Sequence, residues 1–78
     1  MDNFEITLEL DCRGLKCPMP IIKTRKAIEN LKSGNVLKMM ATDPGSINDV
    51  KAWSKRTGNK LLKDYHQRGV FIFIISKK

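Results

Sequence analysis

Seventy-eight residues with 15 Lys and Arg against 8 Asp and Glu, a net charge of +7, make a small basic chain with room for one domain over residues 1–78 and one site. Two cysteines five residues apart form neither a disulfide framework, nor a C-x-x-C redox pair, nor a paired zinc-ligand spacing, so no stapled scaffold and no metal site is expected. The start, Met1-Asp2-Asn3-Phe4-Glu5, lacks the basic and apolar segments of a signal peptide, and the longest apolar run, Val70 to Ile75, is too short to span a bilayer; a cytoplasmic protein without membrane insertion is expected.

From Phe4 to Leu10 the chain alternates, with Phe4, Ile6, Leu8 and Leu10 on one face and Glu5, Thr7 and Glu9 on the other. This period of two predicts a half-buried strand. Cys12 continues the inward parity and reads as a small core residue at the strand exit, with a second, resolving thiol as the alternative. Arg13-Gly14 then turns the chain, and Gly14 suits a positive φ or a close backbone approach.

The stretch Asp11-Cys12-Arg13-Gly14-Leu15-Lys16-Cys17-Pro18-Met19-Pro20 joins that strand to a helix. Pro18 suits the first helical position, which makes Cys17 the N-cap. Prolines at N1 and N3 delete donors that the helix does not use, leaving Met19 as the one N–H able to reach the sulfur. The partial positive charge of the helix end favours a thiolate, and an accessible low-pKa thiolate is a nucleophile. Ile21, Thr24, Ile28 and Leu31 recur at helical spacing through Lys32, and Gly34 supplies a stop. Met19 either touches the sulfur site or fills a gap in the core.

Val36 to Ala41 reads as a second strand with Leu37, Met39 and Ala41 inward. Asp43-Pro44-Gly45-Ser46 breaks it and opens a second helix, capped either by Asp43, with Pro44 at N1, or by Ser46, with Asp49 at N3. Ile47, Val50 and Trp53 share a stripe, Trp53 reads as a core anchor, and Thr57-Gly58 ends the helix. Leu61 to His66, a Gln67-Arg68-Gly69 loop and Val70 to Ile75 form a hairpin. His66, the only histidine, has no partner at ligand spacing and reads as a surface or satisfied residue. The last strand is apolar on both parities, so it either leaves an open apolar face for docking or self-association or lies centrally under partial cover. The order β-α-β-α-β-β favours a two-layer sandwich with right-handed crossovers.

Charge is unevenly placed. Between Cys12 and Lys38, seven cations (Arg13, Lys16, Lys23, Arg25, Lys26, Lys32 and Lys38) face Glu29 alone, a local +6 around the proposed sulfur. That field suits an acidic partner, or it is the solvated face of an ordinary basic helix.

The pattern Asp11-x-Arg13-Gly14-x-x-Cys17-Pro18-x-Pro20, followed by an amphipathic helix and by Asp43-Pro44, resembles the TusA-like, also called SirA-like, family of small sulfur carriers. The resemblance covers nearly the whole chain. It implies an α/β (α+β) two-layer sandwich with a four-stranded mixed sheet and two helices, similar to the C-terminal domain of translation initiation factor three. It also implies that Cys17 carries sulfur as a persulfide, with no other cofactor. A cysteine desulfurase or rhodanese-like protein would donate the sulfur, and a downstream acceptor protein would take it onward, towards tRNA thiolation, cofactor synthesis or sulfur oxidation. Such a protein is a carrier rather than a stand-alone turnover enzyme, a monomer or weak dimer with no direct nucleic acid binding. In this reading Pro18 and Pro20 fix the helix start, and Asp11, Arg13 and Gly14 shape the loop. Lys16, Lys23 and Lys26 are placed to guide partners, and Lys16 and Lys23 also to hold thiolate charge. Many family members have no cysteine at the place of Cys12, which leaves a secondary thiol role open. Two rival readings are a small basic RNA- or protein-binding module without thiol chemistry and a thiol oxidoreductase pairing Cys12 with Cys17.

Overall fold

A computed structural model describes residues 4–78. Met1, Asp2 and Asn3, part of the leader reading, lie outside the described residues. The elements are β1 (Leu8–Cys12), α1 (Met19–Glu29), β2 (Val36–Ala41), α2 (Gly45–Thr57), β3 (Lys60–Gln67) and β4 (Val70–Ser76). The strands form one mixed sheet in the order β1-β2-β4-β3, with β1 parallel to β2 and β4 antiparallel to both of its neighbours. This is the expected α+β sandwich.

Both helices cover one face. Cys12, Leu37, Met39, Ala41, Phe73 and Ile75 are alternate strand residues, and they cluster with Ile28 of α1 and with Val50 and Trp53 of α2. Trp53, 3% exposed, is a core anchor rather than a surface ring.

The first strand is shorter than the alternation suggests. Thr7 bends the chain; its N–H bonds to the Val36 carbonyl at 2.8 Å and its Oγ1 accepts from the Val36 N–H at 3.1 Å. Beyond that bend the period of two no longer fixes a face. Phe4 and Ile6, expected beside Leu10, instead line a groove of about 190 Å³ with Lys38, Lys63, Tyr65 and Ile74, on the face away from the helices. Leu8 keeps the inward parity, opposite Leu37, but on an edge strand it is 40% exposed.

That displaced segment answers the question posed by the two-sided strand. β4 is central, and Ile72 and Ile74 on the helix-free face are 7% and 4% exposed. The open apolar face is therefore absent at these positions, and Phe4 and Ile6 share the groove beside Ile74.

Other boundaries also differ from the sequence reading. α1 stops at Glu29 rather than Lys32, because the chain enters a turn in which the Lys32 N–H donates to Asn35 Oδ1 at 2.8 Å and the Asn35 N–H to the Lys32 carbonyl at 2.9 Å. The hairpin loop has two residues, Arg68 and Gly69, both at positive φ (52° and 78°), since Gln67 still pairs with Val70. α2 ends at Thr57 with Gly58 left-handed, as the Thr57-Gly58 pair suggests, but neither Asp43 nor Ser46 caps its start. Pro44 occupies the cap position, and Ser46 Oγ is buried without a hydrogen-bond partner among the described residues.

Truncating the largest helix side chain in the core tests this packing. Trp53→Ala is expected to lower unfolding free energy by about 3–5 kcal/mol, read as a fall in the urea midpoint at unchanged slope.

Candidate functional site

Because β1 and β2 are adjacent and parallel, their C-terminal ends lie at the same end of the sheet, and each runs through a short loop into a helix. The two loops are neighbours in space although they are nearly thirty residues apart in sequence. The Gly14 N–H, on a residue at φ 81°, donates to Thr42 Oγ1 at 2.9 Å and ties one loop to the other.

The first loop is shaped by its own charges. Asp11 accepts from the Arg13 backbone N–H at 3.0 Å and from Arg13 Nε and Nη2 at 2.9 Å each, a forked contact between exposed side chains. These bonds lower the Asp11 carboxyl to about 2. The Leu15 N–H bonds to the Cys12 carbonyl at 3.2 Å, and the Met19 N–H bonds to the Lys16 carbonyl at 2.8 Å, closing a turn around Cys17 and Pro18.

Cys17 is exposed at the crest of that turn, and its peptide to Pro18 is cis. Its N–H donates to Asp43 Oδ2 at 2.8 Å, and its Sγ donates to Asp49 Oδ2 at 2.6 Å. Asp49 reaches the sulfur because Gly45 and Asp49 are one helical turn apart on the same face of α2, and helical side chains lean towards the N-terminus. Gly45 provides the space. A Cβ there would lie 3.1 Å from Asp43 Oδ2, 3.2 Å from the Cys17 Cβ and 3.5 Å from its Sγ.

This arrangement corrects two expectations. Pro18, not Cys17, is the N-cap of α1; Met19 and Pro20 are N1 and N2, and no side chain caps the helix. The one N–H thought able to reach the sulfur, that of Met19, is instead bonded to Lys16. The thiol is also not pushed towards its anion. The hydrogen bond to Asp49 raises its pKa, followed by desolvation and by the nearby charges of Asp49 and Asp43.

The other residues singled out from sequence fall as follows. Lys16, Lys23 and Lys26 are exposed; Lys23 acts on the buried Cys12, whose thiol is raised chiefly by burial. Cys12 is fully buried, and both cysteines are free. Pro20 is buried under the first turn of α1, whereas Met19 is 42% exposed and so does not fill the core; with Ile22, 37% exposed, it leaves an apolar flank near the sulfur. His66 is exposed and stacks on Phe71 with ring centroids 4.5 Å apart. Among the described residues no group of three or more His, Cys, Asp or Glu side chains is placed to hold a metal ion.

Asp49 and Gly45 are the contributors that sequence reading missed in this role. From sequence Asp49 reads only as a capping partner of Ser46, and the signal available is its i, i+4 spacing from Gly45 on a face of the helix that flanks the Val50 and Trp53 stripe.

The family model for sulfurtransferase TusA matches residues 8–77. The chain is 46% identical over 69 residues to the sulfur carrier protein TusA of Allochromatium vinosum, covering 88% of this chain and 91% of that one. It is 47% identical over 68 residues to the putative sulfur carrier protein YrkI of Bacillus subtilis, covering 87% and 91%. The SirA-like protein from Desulfitobacterium hafniense shares the fold, with a TM-score of 0.77 at 22% identity over 88% of this chain and 95% of that one.

Two substitutions probe the site. Gly45→Ala gains helix propensity of up to about 1 kcal/mol, but its methyl would crowd both Cys17 Cβ at 3.2 Å and the hydrogen-bonded Asp43 Oδ2 at 3.1 Å, so a net loss of about 1–2 kcal/mol is expected in urea unfolding. Asp11 has a depressed folded pKa, so its pair with Arg13 contributes stability above the ordinary carboxylate value of about 4, and that contribution fades as pH falls towards the folded value of about 2. The difference in stability between the wild type and Asp11→Asn should be constant from pH 5 to 7 and shrink between pH 4 and pH 2.

Proposed function

Because the chain belongs to the sulfurtransferase TusA family, we propose that it is a sulfur carrier whose Cys17 takes up a sulfur atom as a persulfide from a donor protein and passes it to an acceptor. The observation that carries this reading is the exposed, free Cys17 thiol at the crest of the first loop, while the second cysteine is enclosed in the core.

The chemistry is a thiol attack on a sulfur–sulfur bond. The Cys17 sulfur, as thiolate, attacks the outer sulfur of a donor persulfide; that bond breaks with its electron pair going to the inner donor sulfur, which leaves as a thiol once protonated. Cys17-SH and donor-S-SH become Cys17-S-SH and donor-SH, so no oxidant is consumed. An acceptor thiol reverses the roles in the second half. Donors of the cysteine desulfurase or rhodanese-like class fit this exchange, and no cofactor beyond the carried sulfur is needed.

Access and loop shape set the rate of such exchange. Pro18 and Pro20 begin α1 without unsatisfied donors, the Asp11 and Arg13 fork and the Gly14 tie hold the loop, and together they keep Cys17 proud of the surface. Met19 and Ile22 offer partners an exposed apolar contact on the helix that follows Cys17, and the exposed Lys16, Lys23 and Lys26 add positive charge on the same loop and helix that attracts acidic surfaces. No helix among the described residues is long and apolar enough to cross a membrane, and a cytoplasmic exchange between soluble partners fits a pair of free thiols.

Incubation with a cysteine desulfurase and cysteine, followed by intact-mass measurement with and without reductant, tests the proposal. One reductant-labile sulfur is expected on the wild type and on Cys12→Ser, and none on Cys17→Ser. Absence of added sulfur from the wild type with both desulfurase and rhodanese-like donors would count against the carrier reading. Loss of two hydrogens dependent on both cysteines would point to an oxidoreductase.

A further inference from the structure

We propose that Asp49 is a positioning residue that latches Cys17 only while the carrier is empty, accepting the hydrogen of its thiol, and lets the side chain go once it bears sulfur. The proposal rests on the carrier reading above and adds to it how the empty and loaded states are told apart.

The contact is selective for protonation state by its chemistry. At 2.6 Å, Cys17 Sγ donates its thiol hydrogen to Asp49 Oδ2, and an ionised Cys17 has none to donate. If the sulfur were ionised, two anions would face each other at that distance, with the Asp43 carboxylate at the Cys17 N–H as a third. Among the neighbouring cations, Arg13 is engaged by Asp11 and Lys51 of α2 pairs with Asp64 at 3.7 Å, while Lys16 of the loop and Lys23 of α1 are exposed to solvent. The raised thiol pKa has the same origin. Asp49 is held in place by the helix, and the bare Gly45 below it admits the sulfur.

A persulfide lacks the feature that this latch recognises. Its S–H is a stronger acid than the parent thiol, because the adjoining sulfur stabilises the anion, so the loaded group is ionised at neutral pH. It then has no hydrogen to give Asp49 and is repelled by it. In the loading step the proton released by Cys17 goes to the departing donor sulfur, and the new persulfide ionises to solvent. The empty carrier is thereby kept from indiscriminate thiol chemistry, while the loaded sulfur is turned outward to an acceptor.

The test is the pH dependence of alkylation by iodoacetamide, read by intact mass, for Cys12→Ser and for Cys12→Ser with Asp49→Asn, each empty and sulfur-loaded. In the empty Cys12→Ser protein the inflection should lie above the ordinary thiol value of about 8.5; an inflection at or below it overturns the latch without any further variant. Asp49→Asn should lower the inflection by about one pH unit. At pH 7 that gives about ten times more thiolate of roughly threefold lower intrinsic reactivity, a net gain of roughly threefold. The same substitution should leave alkylation of the loaded form within about twofold, since its anion is already formed. An unmoved inflection in a variant with native circular dichroism overturns the latch, as does equal acceleration of empty and loaded forms. Neither result touches the carrier reading, which fails separately if no sulfur is taken up on Cys17.

Discussion

Parallel pairing of β1 with β2 is the constraint from which the site follows. Two adjacent parallel strands must each leave the sheet at the same end, and each is followed here by a loop and the start of a helix. Cys17 in the first loop therefore meets Asp43 before α2 and Asp49 within it, over sequence separations of 26 and 32 residues. Were the strands antiparallel, the loops would lie at opposite ends of the sheet, and the sulfur would face solvent without carboxylates beside it.

Charge acts on this protein at two ranges with opposite sign. At long range the excess of Lys and Arg makes the chain attractive to acidic surfaces. Within hydrogen-bond distance the sulfur meets the Asp49 carboxylate, and that contact raises the thiol pKa. Close contact outweighs the wider field because exposed charges are weakened by water and salt, while a direct hydrogen bond is not. The partial charge at the start of α1 is likewise outweighed, its nearest N–H being engaged by Lys16.

A sheet with helices on one side only must do something with the other. Here β4 is apolar on both faces, and Phe4 and Ile6, arriving ahead of β1, fold across the helix-free side near Ile74. The chain thereby gains apolar burial on both sides of a small sheet without a third layer. The helix side is left to set the geometry of the two loops.

Much of this was legible in the order of residues. Local patterns reported local structure: the alternation of Leu37, Met39 and Ala41 gave β2 its bounds, the 3.6-residue stripe through Val50 and Trp53 gave α2 its buried face, and the cysteine between a glycine turn and two prolines marked the place where chemistry is exposed. Only tertiary structure decided what that cysteine touches. Asp49 looks like a helix-cap residue until α2 is laid beside the first loop, and Phe4 and Ile6 look like strand residues until a bend at Thr7 sends them to the other face. The physical reason is the same in each case: periodicity and capping depend on neighbours a few residues away, whereas the protonation of the Cys17 sulfur depends on a carboxylate brought to it by the register of two strands.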